Sequence, residues 1–323
     1  MPVIEVADLV KEFSRPKRQE GPFAGIRTLL TREQTVKRAV DGVGFTVEQG
    51  EMVGYLGPNG AGKSTTIKML TGILVPTSGT VTVAGATPWR DRSRNARRIG
   101  VVFGQRSQLW WDLPLRDSLW LIGRLYDVPQ ARFRERQRQF SEVLDLGPFL
   151  DTPVRQLSLG QRMRGDLAAA MLYDPDILYL DEPTVGLDVI AKERIRTFVG
   201  ELNRESGTTV VLTTHDLDDV EELCDRIVLI DHGRVAYDGA VDELKARYAP
   251  HRELVVQTDR LESVEGAEVV RREDGKVWLR FDPVRTPPAE LVAAVLARHR
   301  VTDLSIVEPE LESVIHRIYA DRG

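Results

Sequence analysis

Eight consecutive residues, Gly57-Pro58-Asn59-Gly60-Ala61-Gly62-Lys63-Ser64, fill the pattern G-x-x-x-x-G-K-[ST] without a mismatch. That spacing does phosphate chemistry. Glycines let backbone N–H groups turn inward, and a helix starting here aims its dipole at an anion. Lys63 can reach the β- and γ-phosphates of a nucleotide, and the Ser64 hydroxyl can join a Mg²⁺ shell. Thr65 continues the loop into a helix predicted over 65–70. Glu51 to Leu56 reads as the short buried strand that feeds it.

A second set of polar residues lies about 120 positions further on. The apolar run Ile177-Leu178-Tyr179-Leu180 reads as a strand and ends in Asp181-Glu182. The C-terminal ends of strands are where open α/β sheets bind ligands. Asp181 suits a grip on Mg²⁺, and Glu182 can orient or deprotonate water. His215 follows the apolar run Val210 to Thr214, and a neutral histidine can still donate a hydrogen bond there. Asp216 is placed to cap the next helix. Ser158, Gly160 and Gln161 open another helix and make a second anion site.

The elements that must position these groups alternate between strands and helices. Strands are predicted at 4–10, 39–48, 81–83, 99–103, 177–180, 209–213 and 226–230. Helices are predicted at 115–126, 133–144, 161–172, 192–205 and 217–224. This alternation argues for an α/β core with a largely parallel sheet. Residues 14–38 stand out, with seven Lys/Arg against two Glu, and read as a basic insertion holding one short helix. From 249 onward, three alternating strands and two helices read as a separate α+β domain.

The 323 residues suffice for one large and one small domain. A net charge of -5 argues against a general nucleic-acid binder. One cysteine, Cys224, excludes an internal disulfide framework and reads as a packing residue. The N-terminus has no signal-peptide pattern, and no run approaches the roughly 18 apolar residues that cross a bilayer.

With these motifs in this order, the chain resembles the ATP-binding subunits of ATP-binding-cassette transporters over residues 4–248. Leu157-Ser158-Leu159-Gly160-Gln161 resembles the signature Leu-Ser-Gly-Gly-Gln, with Leu159 in place of the usual glycine. Gln105 is similar to the glutamine that contacts Mg²⁺ and the attacking water. Gly186-Leu187-Asp188 resembles the D-loop, His215 the switch histidine, and Phe13 the aromatic that stacks on adenine.

The resemblance implies a P-loop NTPase cassette over 1–248. It has a mainly parallel core sheet, an antiparallel β subdomain and a helical signature subdomain near 105–172. The cofactors implied are ATP and Mg²⁺. Glu182, His215, Gln105 and Lys63 are the catalytic candidates, and Ser64, Gln105 and Asp181 the metal ligands. Nucleotide contacts fall on Phe13, residues 57–65, Gln105 and His215. Ser158, Gly160, Gln161 and Asp188 complete the pocket of a second subunit, so a homodimer sandwiching two ATP molecules is expected. At Leu159 a side chain replaces glycine's close approach to phosphate unless it points away, so weakened or partner-tuned hydrolysis, rather than none, is expected.

Two tryptophans stand together in Gln108-Leu109-Trp110-Trp111-Asp112-Leu113-Pro114, a loop rich enough in aromatics to mark an interface. In the family, residues 104–117 face the membrane permease. Val40-Asp41-Gly42-Val43 and Asp238-Gly239 resemble exporter ATPases, closest to a viologen-exporter-like bacterial group with six-helix permeases. The function expected is energy coupling for an exporter at the cytoplasmic face of the membrane. Importer subunits, and soluble cassette ATPases acting on nucleic acid or the ribosome, are the alternatives. The 249–323 domain is expected to serve dimerisation or regulation.

Overall fold

The computed structural model describes residues 1–16, 34–104, 106–258, 261–308 and 311–320. They form two compact units, Met1–Asp238 and Gly239–Gly323.

The first unit holds two sheets. A long ribbon of β1 (Pro2–Pro16) and β2 (Gln34–Glu48) pairs antiparallel from Pro2↔Glu48 to Pro16↔Gln34, and β4 (Ser78–Val83) joins the free side of β1. The expected basic insertion is therefore corrected at its ends. Residues 14–16 and 34–38 continue the ribbon, because alternating side chains let the pairing run on past Val10 and Ala39. Residues 17–33, where the short helix was expected, lie outside the described residues.

The second sheet has strands β3 (Met52–Leu56), β5 (Ile99–Phe103), β6 (Ile177–Asp181), β7 (Thr209–Thr213), β8 (Arg226–Asp231) and β9 (Arg234–Ala240) in the order β5-β6-β7-β3-β8-β9. The β5–β6, β6–β7, β7–β3 and β3–β8 pairs are parallel. Strands β3, β6 and β7 are apolar and almost wholly buried, as parallel strands covered on both faces must be. Register then sets Phe103 beside Asp181 and Asp181 beside Thr213. The five parallel strands β5, β6, β7, β3 and β8 point their C-terminal ends the same way, so the phosphate loop after β3 and the acidic pair after β6 open at one edge.

Seven helices accompany these sheets among the described residues: α1 (Lys63–Leu70), α2 (Arg92–Arg98), α3 (Leu115–Leu125), α4 (Gln130–Val143), α5 (Leu159–Met171), α6 (Val189–Ser206) and α7 (Leu217–Leu223). Helix α1 starts at Lys63, two residues before the predicted start, because left-handed Gly62 already turns the chain into it. Cys224, just after α7, is buried, and burial pushes its thiol up to about 12.

The second unit contains α8 (Val241–Tyr248), β10 (Arg252–Thr258), β11 (Glu268–Glu273), β12 (Lys276–Phe281), α9 (Pro288–Arg298), β13 (Val301–Val307) and α10 (Leu311–Ala320). Its sheet runs β11-β12-β10-β13, all pairs antiparallel. Leu254, Val256, Leu279 and Phe281 face Leu291 and Val295 of α9 in its core. Sequence patterning missed β11, a mostly charged strand with only Val269 and Val270 partly covered. Helix α8 packs with α10, where Arg317 donates to the Tyr248 carbonyl at 3.0 Å. The division therefore falls before α8, not after residue 248.

Candidate active site

A pocket of about 1110 Å³ opens at the common sheet edge. Its floor is the loop after β3: Pro58, Asn59, Gly60, Gly62, Lys63, Ser64 and Thr65. Glycine is required at two turns of this loop. Gly62 has φ +109, and a Cβ there would sit 2.5 Å from the Ala39 carbonyl oxygen. A Cβ at Gly57 would lie 2.4 Å from the Ile230 carbonyl oxygen. Gly57 and Ala61 shape the loop from behind the pocket. The Gly57 carbonyl accepts from Lys63 Nζ at 2.5 Å, and Ala61 takes the Gly233 N–H at 3.1 Å. Gly62 stands at the N-cap of α1 with no side chain to satisfy the first helical N–H groups. A helix start left open in this way is an anion site. Behind it the buried Tyr55 hydroxyl and Thr66 Oγ1, 3.1 Å apart, tie β3 to α1.

The acidic pair closes the opposite wall. Asp181 Oδ1 accepts from Thr213 Oγ1 at 2.5 Å, as the β6–β7 register requires. Glu182 turns sharply, with φ +59, and its N–H donates to the Thr213 carbonyl at 2.8 Å. A left-handed glutamate costs about 1 kcal/mol or more, a strain common at ligand sites. Gly104 makes the turn possible: its N–H donates to the Asp181 carbonyl at 2.7 Å, and a Cβ there would lie 2.3 Å from the Glu182 carbonyl oxygen. His215 Nδ1 lies 2.5 Å from Glu182 Oε2. An ionised carboxylate only accepts, so Nδ1 carries the proton in this pair. The Lys63 ammonium has its pKa lowered by burial, against the opposing pull of Glu182 and Asp181.

The loops bearing Glu182 and His215 share one support. Buried Asp219 on α7 accepts from Thr184 Oγ1 and, at 2.6 Å, from Arg196 Nε on α6. Asp216 occupies the N-cap of α7 but makes no capping bond; its carboxylate pairs with Lys192 instead. The cap expected from sequence is therefore corrected to an ion pair with Lys192.

Phe13 lines the same pocket, and Lys11 Nζ lies 5.3 Å from its ring centroid. The sequence reading missed Thr35, Lys37 and Ile73, which line that end too, and Lys68, Arg106 and Val185. Thr35, Lys37 and Ala39 recur with period two on β2, and Lys37 pairs with Phe13. Extending the strand alternation backward from Ala39 would have found them. Gln105 lies outside the described residues.

Ser158, Gly160, Gln161 and Asp188 do not line this pocket. Ser158 caps α5, its Oγ accepting from Gln161 N at 3.2 Å while Gln161 Oε1 accepts from Ser158 N at 2.9 Å. Asp188 caps α6 by accepting from Ala191 N at 2.8 Å. The Leu159 side chain turns to the loop before α6: its Cδ2 would be 3.0 Å from a Cβ at Gly186. Trp110 and Trp111 are 42% and 52% exposed.

Known proteins are similar to this chain in sequence and fold. The ABC transporter family profile matches residues 40–185. The Nod factor export ATP-binding protein I of Ralstonia nicotianae is 39% identical over 239 residues, 71% of this chain and 73% of that protein. The chain belongs to the ABC transporter family as an ATP-binding subunit. This cassette is also 43% identical to the daunorubicin/doxorubicin resistance ATP-binding protein DrrA of Streptomyces peucetius, over 65% of this chain and 63% of that one. A solved ATP-binding subunit of an ABC transporter superposes with a TM-score of 0.64 at 26% identity, covering 76% of this chain and 93% of that structure. A dimeric ATP-binding cassette, solved in a post-hydrolysis state with ADP and Pi, gives a TM-score of 0.61 at 26% identity, over 73% and 98% of the two chains. The cassette therefore has the fold of a family that binds and hydrolyses ATP. No helix among the described residues is long and apolar enough to cross a membrane.

Proposed function

We propose that this cassette hydrolyses ATP as a homodimer and drives export through a membrane permease from the cytoplasmic face. The observation that carries the ATPase reading is the convergence of Lys63, Ser64, Asp181, Glu182 and His215 on one pocket with an open helix start. The open N–H groups of α1 and Lys63 hold the phosphates. Glu182, held by His215, stands as the base that orients water. His215 Nε2 is left to face the γ-phosphate. With Nδ1 committed to Glu182, that contact is a donated bond when the ring is protonated.

The donor set fits Mg²⁺. Ser64 and Asp181 both line the pocket and offer oxygen only, and Asp181 keeps acceptor capacity beyond its bond from Thr213. No group of three or more His, Cys, Asp or Glu that could enclose a metal occurs among the described residues. Phosphate oxygens and water must therefore complete the shell, as suits a cation that dehydrates reluctantly. Gln105 joins this set by family resemblance. When bound, the ion neutralises charge on the phosphates.

Ser158, Gly160, Gln161 and Asp188 lie outside the chain's own pocket, which fits a role completing the partner subunit's. Dimeric neighbours support that pairing. The export reading draws on the names of the relatives, among them Nod factor export and daunorubicin resistance proteins. The 104–117 segment, with its exposed tryptophans, is the proposed permease contact. The unit from Gly239 onward is proposed to stabilise or regulate the dimer.

Glu182→Gln tests the chemistry. ATP affinity is expected within about threefold of wild type while turnover falls about a hundredfold or more, and an ATP-bound dimer accumulates in sedimentation. Turnover near wild type would refute Glu182 as the base. Copurification of a permease, and the direction of ATP-driven flux in vesicles, test export.

A further inference from the structure

Beneath the exposed tryptophans lies a carboxylate that the chemistry above does not use. Asp166, in the middle of α5, is 4% exposed. Its Oδ1 accepts both from Ser107 Oγ at 2.9 Å and from Gln108 N at 3.0 Å. Gln108 Nε2 donates back to the Asp166 carbonyl at 3.1 Å, and Ser107 Oγ also takes the Leu109 N–H at 3.1 Å. The segment lies flush on the helix: a Cβ at Gly165 would be 2.8 Å from Leu115 Cδ1 and 3.1 Å from Leu109 Cδ1.

This clasp sits between three surfaces. Upstream, Phe103, Gly104 and Arg106 line the nucleotide pocket, and Gly104 is bonded to Asp181. Downstream, Trp110 N donates to Ser118 Oγ at 3.2 Å, and the Arg162 guanidinium of α5 lies 5.6 Å from the Trp111 ring centroid. At its N-terminus the same helix carries the Ser158–Gln161 capping box. A buried carboxylate is costly unless its bonds are made, and charge-assisted bonds are the strong ones.

We propose that Asp166 is a positioning residue that locks the 107–109 segment to α5, so that a change at the nucleotide pocket reaches the Trp110–Trp111 loop and the Ser158 cap together. The proposal rests on the nucleotide reading of the pocket. Without Asp166, the pocket edge moves and neither the tryptophans nor the capped helix follows. Both bonds end on one oxygen, so the amide oxygen of asparagine can take both.

The test uses the full chain, with ATP affinity, steady-state kinetics and acrylamide quenching of tryptophan emission measured on each variant. The signal from Trp110 and Trp111 is assigned by difference from the Trp110→Phe/Trp111→Phe form. In wild type, ATP is expected to change the quenching of these two residues. Asp166→Ala is expected to bind ATP within about threefold of wild type, lose the quenching change, and drop kcat about tenfold with KM little altered. Asp166→Asn is expected to restore both. An Asp166→Ala protein that keeps the quenching change and kcat overturns the proposal. So does an Asn variant as impaired as Ala, or a wild type that binds ATP without the change. If Asp166→Ala fails to fold, Ser107→Ala removes one of the two bonds and is expected to halve the quenching change, and an unaltered change overturns the proposal. Failure of wild type to bind ATP at all would instead refute the nucleotide site.

Discussion

Two helix N-termini in the first unit carry glycine, a hydroxyl and a polar side chain, yet they are built differently. Helix α1 begins at left-handed Gly62 with no side-chain cap, and its first N–H groups face a pocket. Helix α5 begins at Ser158 with a complete capping box, its Ser158 and Gln161 bonds satisfied within the chain. An uncapped start is an unfinished hydrogen-bonding site that a phosphate completes. A capped start holds its shape without a ligand, and its serine hydroxyl keeps a proton to donate. The first lies in the chain's own pocket. The second lies outside it and is the one proposed above to complete a partner's.

The sharpest way to break this contrast is to fill the open start. Gly62→Ala forces a Cβ to 2.5 Å from the Ala39 carbonyl at φ +109. ATP affinity measured by calorimetry is expected to fall about a hundredfold or more, a loss of roughly 3 kcal/mol. A variant that binds ATP normally would mean the loop does not hold the phosphates.

Next in size is a change within α5 itself. Burial raises the Asp166 carboxyl from 3.8 to about 6, opposed by the Gln108 and Ser107 bonds and by Arg162 one turn earlier on the same helix. The native state thus binds this proton more tightly than the unfolded chain. The stability this confers is full below about pH 4 and is lost as pH rises through about 6. Asp166→Asn does not titrate, so its melting temperature should gain on wild type between pH 4 and pH 8, by the equivalent of about 2 kcal/mol. A difference independent of pH would contradict the burial of that charge.

Removing the cap from α5 should cost less. Ser158→Ala is expected to lower stability by about 1 kcal/mol in denaturant titration. It should also weaken ATP-driven dimerisation in the Glu182→Gln background while leaving monomer ATP affinity unchanged. Equal losses of monomer affinity and dimerisation would erase the distinction between the two starts. The smallest effect is expected at Leu159. Its side chain packs toward Gly186 of its own chain, so Leu159→Gly is expected to leave turnover within about twofold of wild type or reduce it, with a stability cost of up to about 1 kcal/mol. A clear rise in turnover would restore the idea, read from the sequence, that leucine crowds the phosphate.

Strand and helix positions in the first unit were legible where periodicity is strong: the predictions at 99–103 and 209–213 coincide with β5 and β7. The ribbon was not, because proline, glycine and charge between β1 and β2 hid an alternation that only cross-strand pairing sustains. In the second unit, the three strands and two helices expected after residue 249 have their counterparts in β10, β12 and β13 and in α9 and α10. The charged strand β11 was not legible, since its stability comes from its β12 neighbour and not from its own apolar face.

The sequence by itself determined the phosphate loop, the acidic pair, the histidine and the capped serine, because each is a local device in which a few adjacent residues set a turn, a strand end or a helix start. Only the tertiary structure decided which of them meet. It joined Glu182 to His215 across two strands, set Thr35 and Lys37 beside Phe13, turned Leu159 toward Gly186, and buried Asp166 beneath the 107–109 segment. These pairings depend on sheet order, register and close approach between backbones distant in sequence, and no local pattern of residue types encodes them.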